Sequence, residues 1–174
     1  MKKINVILFV FLITVCAHAQ QHEILSGKLE NLKGITEYNV TFDYSAVGTV
    51  DDKNEDGTNR EVIYETAFVD YFNKMFTKGQ VKVVKNQNVK YTINVKPTWI
   101  YKGYHAASEF GAAKISAQIS IYETTDTNKI IFAIGFEKAI GMKHDIMSNT
   151  IPERISWAYE RLGKNLAMQL KRVL

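Results

Sequence analysis

Four closely spaced stretches of this chain carry strand signals, and they constrain its fold more than any other feature. They cover residues 80–84, 89–101, 114–123 and 129–138. A period of two sends successive side chains to opposite faces of a pleated ribbon, and a short apolar run suits a strand buried on both faces, so each stretch predicts a β-strand. In the second, Val89, Tyr91, Ile93 and Val95 alternate with Lys90, Thr92, Asn94 and Lys96. Pro97 removes one ladder donor and predicts a bulge or an edge there. In the third, Ile115, Ala117, Ile119 and Ile121 oppose Ser116, Gln118 and Ser120. The fourth is apolar on both faces and predicts a central place. Earlier in the chain, Tyr38, Val40, Phe42 and Tyr44 against Asn39, Thr41, Asp43 and Ser45 make a fifth strand.

Two helical stripes complete the pattern. Over residues 60–77, Tyr64, Phe68, Tyr71, Phe72 and Met75 recur at helical spacing, and Gly79 stops the run. Over residues 152–172, Ile155, Ala158, Leu162, Leu166, Leu170 and Val173 form the buried stripe. Arg154, Arg161, Lys164 and Lys171 are expected to face water. Thr58 with Glu61, and Thr150 with Glu153, have the spacing of capping boxes. The order strand, helix, four strands, helix predicts an α+β two-layer sandwich: a mostly antiparallel five-stranded sheet with both helices on one face. The other face would carry Thr41, Asp43, Thr92, Asn94, Ser116, Gln118 and Ser120, either solvated or docked onto a partner.

The N-terminus predicts export. Lys2 and Lys3 precede an apolar run over residues 4–15, and Ala17-His18-Ala19 is a small-x-small cleavage pattern. Residues 1–19 read as a signal peptide, and residues 20–174 as a single domain with a loosely packed leader over residues 20–35. The apolar run falls short of the roughly twenty residues of a membrane span, so no span is expected in the mature chain. Cys16 is the only cysteine and leaves with the signal, which removes disulfides, thiol nucleophiles and thiolate ligands from consideration. A lipoprotein signal would place a small residue before Cys16, and the bulky Val15 argues against it. The expected location is periplasmic or outer-membrane associated.

Charge excludes one partner class. Twenty-two Lys and Arg are interspersed with 18 Asp and Glu, for a net charge of +4. No dense basic block marks a phosphate-tracking stripe, so nucleic acid is not an expected partner.

Few residues could carry chemistry. Asp52, Asn54, Asp56 and Gly57 resemble the opening half of a calcium loop, but its closing position holds Ile63 in place of a bidentate Glu. The aromatic segment Trp99, Tyr101, Tyr104, His105 and Phe110, interrupted by Gly103, is the best candidate binding site, because Trp and Tyr combine apolar area with a polar tip. His144 and Asp145 are adjacent, with no further ligand at metal-site spacing. Neither a nucleophile elbow nor a phosphate-cradling glycine loop is present. No cofactor and no catalytic residue are therefore expected.

The segments Leu32-Lys33-Gly34, residues 38–45, residues 90–96, Arg154-Ile155 and residues 159–164 resemble a group of exported Bacteroidetes proteins with no assigned activity. These are packing segments, so the resemblance implies no site residue, and the chain departs from the group in a shortened loop at residues 52–57. The helix-and-sheet order is similar to small envelope domains of curli-secretion lipoproteins and of lipoproteins that activate peptidoglycan synthases. That similarity implies a non-catalytic envelope protein binding another macromolecule, an envelope protein or a cell-wall component. The alternatives are a binder of small ligands or cell-wall fragments, using a pocket between the aromatic segment and residues 141–149, and a hydrolase.

Overall fold

The computed structural model describes residues 22–47, 60–77, 80–85, 88–104, 111–142 and 150–174. The elements are β1 (His22–Gly27), a 3-10 turn (Leu29–Leu32), β2 (Glu37–Phe42), α1 (Arg60–Lys74), β3 (Lys82–Val84), β4 (Tyr91–Tyr101), β5 (Lys114–Glu123), β6 (Asp126–Ile140) and α2 (Ile151–Leu170). The fold is α+β, with one sheet of six strands in the order β1-β6-β5-β4-β2-β3.

Two features correct the expected five-stranded, mostly antiparallel sheet. The sixth strand, β1, comes from the leader and pairs antiparallel with β6. Every residue of β1 is exposed, so nothing required an alternating pattern there. The second correction is direction. β2 runs parallel to both β3 and β4, while the β4, β5 and β6 pairings are antiparallel. Helix α1 carries the chain from β2 back to the same end of the sheet, as a parallel crossover requires. Side-chain periodicity is blind to strand direction. β6 lies second from the edge and is not the centre of the sheet, and β1 covers its outer side.

The core forms between one sheet face and both helices. Ile93, Val95, Ile119, Ile121, Phe132 and Ile134 meet Phe68, Phe72, Leu162 and Leu166 in one buried cluster. Phe42 of β2 meets Phe68 of α1 edge-on at 5.7 Å and 90°, and lies 6.5 Å from Tyr159 of α2. Tyr64 stacks on Tyr159 at 5.3 Å and 10°. The helices touch backbone to side: a Cβ built on Gly163 would lie 2.5 Å from the carbonyl oxygen of Phe68. At the start of α2, Thr150 donates its backbone N–H to Glu153 Oε2 at 3.1 Å, the reach-back of the expected capping box. Thr58, the other expected cap, lies outside the described residues.

Arg154 departs from the expectation that it faces water. It is only 6% exposed, and its guanidinium donates to the carbonyls of Lys102 and Gly103, both at 3.2 Å. It ties the end of β4 to α2.

Candidate binding face

The sheet face away from the helices has two halves with different characters. Over β2 and the first part of β4, polar groups satisfy one another. Asn94 Nδ2 donates to Thr41 Oγ1 at 3.0 Å, and the Thr92 and Thr124 hydroxyls meet at 2.8 Å. Lys96 pairs with Asp43 at 2.8 Å and donates to Ser45 Oγ at 3.1 Å. The hydrogen bonds from Lys96 and then Ser45 pull the Asp43 carboxyl down from 3.8 to about 2.

The other half is set up by a bulge. Up to Lys96, the even-numbered residues of β4 point to the open face, in line with Ser120 and Gln118 of β5. The register shifts between Pro97 and Trp99, so Trp99 stands opposite Ser116 and Tyr101 opposite Lys114. The extra residue inverts the phase of the strand. Without it, Trp99 and Tyr101 would continue the inward row of Ile93 and Val95. With it, the two rings stand on the open face, stacked at 6.2 Å and 8°, with Trp99 42% exposed. Pro97 thus falls at a bulge in an interior strand, a placement its missing donor allows.

A groove of about 560 Å³ runs beside Trp99; Tyr101 stacks on Trp99 but is not among the residues that line it. Gln118 of β5, Gly135 of β6 and Glu23 of β1 are direct neighbours across three strands. The missing side chain at Gly135 leaves a depression between the carboxamide and the carboxylate. Leu25 leans over it, with its methyl 3.6 Å from where a Gly135 Cβ would lie. Trp99 and Thr98 line the β4 side, and Glu137 supplies a second exposed carboxylate. A bulge in β6 places both Glu137 and Lys138 opposite Ser116, whose Oγ accepts the Lys138 N–H at 3.1 Å. The groove therefore offers an indole, two carboxylates, an amide and two hydroxyls in one concave surface.

The structure brings Trp99 and Tyr101 together on this face. Tyr104 lies beyond the end of β4, 70% exposed, and does not line the groove. His105, Phe110, His144, Asp145 and the calcium candidates Asp52, Asn54 and Asp56 lie outside the described residues. Sequence reading missed Glu23, Leu25, Gly135 and Glu137. The first two sit on the strand that carries no alternation, and the last two gain their meaning only from strand order. Among the described residues, no group of three or more His, Cys, Asp and Glu side chains is placed to hold a metal ion. No described helix is long and apolar enough to cross a membrane.

No protein-family model matches the chain, and no curated protein matches it in sequence. Among solved structures, the PelC dodecamer from Paraburkholderia phytofirmans is similar at 10% identity and a TM-score of 0.42, covering 82% of this chain and 96% of that one. A single-substitution variant of the same protein is similar at 12% identity and a TM-score of 0.41, covering 82% and 95%. At these values the likeness identifies neither a ligand nor an activity for this chain.

Proposed function

We propose that this protein is a non-catalytic, exported envelope protein that binds another macromolecule, a cell-wall glycan, along the open face of its sheet. The observation that carries the reading is the groove beside Trp99, on whose ring Tyr101 stacks. A sugar ring has an apolar C–H face and a rim of hydroxyls. An exposed indole suits the first, and carboxylates with an amide suit the second. The groove is open to solvent along the sheet face, as a segment of a long polymer requires. Export is supported by the charged head, apolar run and Ala17-His18-Ala19 of the N-terminus. The resemblance to exported Bacteroidetes proteins points the same way.

Glu23 and Glu137 line one groove, as the two carboxylates of a glycoside hydrolase would. Both are solvent-exposed, without the apolar enclosure that a general acid needs at neutral pH. Binding accounts for them better than hydrolysis.

Co-sedimentation with insoluble cell-wall material tests the reading. The wild-type protein should pellet with it, and Trp99→Ala should stay in the supernatant with its fold intact. Equal pelleting of both would remove the groove from the account, and capture of a single envelope protein by the same face would replace the glycan.

A further inference from the structure

A second groove lies on the helix side of the same sheet edge. Its volume is about 390 Å³, and it runs between α2 and the outer end of β1 and β6. Arg161, Lys164, Met168 and Arg172 recur at intervals of three to four residues, so they form one row along the helix and its C-terminal continuation. Phe136 and His22 face them from the sheet. Among the described residues that line the groove, three are cationic and none is a carboxylate.

Elsewhere on this surface lysines find acids: Lys82, Lys85, Lys96 and Lys129 each pair with a carboxylate within 2.8 Å. Among the described residues, Arg161, Lys164 and Arg172 have no such partner. The helix dipole accounts for a cation at Arg172, next to the C-terminus, but not for two in mid-helix.

The groove is also internally braced. Gln169 is only 8% exposed, and its Oε1 accepts from Arg172 Nη1 at 2.9 Å. That bond orients the carboxamide, so its NH2 faces His22 Nε2 at 3.3 Å. Arg161 is held through Nε by the Ile140 carbonyl at 3.0 Å, which leaves its terminal donors available. Two braced guanidiniums and a lysine around one hollow present the fork geometry and charge that an oxyanion with more than one negative charge requires. We propose that this groove binds a phosphoryl group, with Arg161, Lys164 and Arg172 as its cationic ligands. The two grooves share His22 and Phe136 along the sheet edge, but the three cationic ligands line this groove alone.

The probe is inorganic pyrophosphate, titrated into the full mature chain and followed by amide chemical shifts. Saturable shifts should gather at residues 161–172 and at His22, and spare Trp99. Among the described residues Lys164 makes no side-chain hydrogen bond or ion pair, so its variants should fold normally. Lys164→Glu should weaken binding by about tenfold or more, while Lys164→Arg should keep it. Vesicles of phosphatidylglycerol in phosphatidylcholine form the second arm. Pelleting with them that Lys164→Glu abolishes assigns the phosphoryl group to a lipid headgroup, and pyrophosphate binding without pelleting assigns it to a soluble ligand. No saturable shift with pyrophosphate, or shifts of equal size in Lys164→Glu, would overturn the proposal.

Discussion

The Asn73 side chain closes one edge of the sheet by making both outward backbone hydrogen bonds of Val83. Its Nδ2 donates to the Val83 carbonyl at 3.0 Å, and its Oδ1 accepts the Val83 N–H at 2.8 Å. One edge of a carboxamide presents an N–H and a C=O side by side, as a residue of a neighbouring strand does, so helix α1 substitutes for a seventh strand at this point. Exposed strand edges recruit other chains, and β3 is protected in this way.

Asn73→Ala should therefore destabilise the fold by about 1–3 kcal/mol, because two backbone groups lose their partners. Asn73→Asp keeps the acceptor but sets a carboxylate against the Val83 carbonyl, and should cost a comparable amount. Urea unfolding followed by circular dichroism measures both, and an unchanged midpoint for either would contradict the assignment.

Gly163 is kept for proximity. Alanine is the better helix former by about 1 kcal/mol, so an exposed glycine would gain from the exchange. Here the added methyl would meet the Phe68 carbonyl at 2.5 Å and push the helices apart. Gly163→Ala should lower stability by about 1–3 kcal/mol. A neutral or stabilised variant would show that the helix contact is looser than described.

Tyr38 is fully buried, and its hydroxyl has no hydrogen-bond partner among the described residues. Burial, with a smaller contribution from Tyr91, pushes its ionisation well above the ordinary 10.0. A buried hydroxyl without a partner costs free energy, so Tyr38→Phe should leave the melting temperature unchanged or raise it. A clear fall in melting temperature would mean that the hydroxyl is satisfied.

Acid should weaken the open face at one identifiable pair. The Asp43 carboxyl is depressed from 3.8 to about 2 by Lys96 and Ser45, so its contribution is complete above the unfolded value. That contribution is lost as pH falls from about 4 to about 2, since the unfolded chain takes up the proton first. The pair is partly solvated, so the effect should stay below about 1 kcal/mol. Comparing wild type with Lys96→Met across pH 2 to 6 should show a shallower acid slope in the variant. Identical slopes would remove the pair from the account.

Much of this fold could be read from the sequence because one sheet face is consumed by the core. Burial forces the alternation of Ile115, Ala117, Ile119 and Ile121, and the helical stripe from Ile155 to Leu170, whatever the topology. What escaped is what burial does not mark. β1 has no buried side chain, and the direction of β2 leaves no trace in its pattern. Arg154 looks like a solvent-facing cation until the carbonyls of Lys102 and Gly103 are seen to receive it. The binding face illustrates both outcomes. Trp99 and Tyr101 stood out as aromatics, and Pro97 announced a bulge. That the bulge turns those rings outward, beside Gly135 and Glu23, depends on the register of four strands.

The most direct measurement is a fluorescence titration of Trp99 with soluble cell-wall glycan fragments. The protein would carry Trp157→Phe, which leaves Trp99 as the sole indole of the two in the chain. Saturable quenching or a spectral shift is predicted, and Gly135→Leu, which fills the depression from beneath, should abolish it without unfolding the protein. An indole that ignores every fragment, or a response that survives Gly135→Leu, would contradict the account.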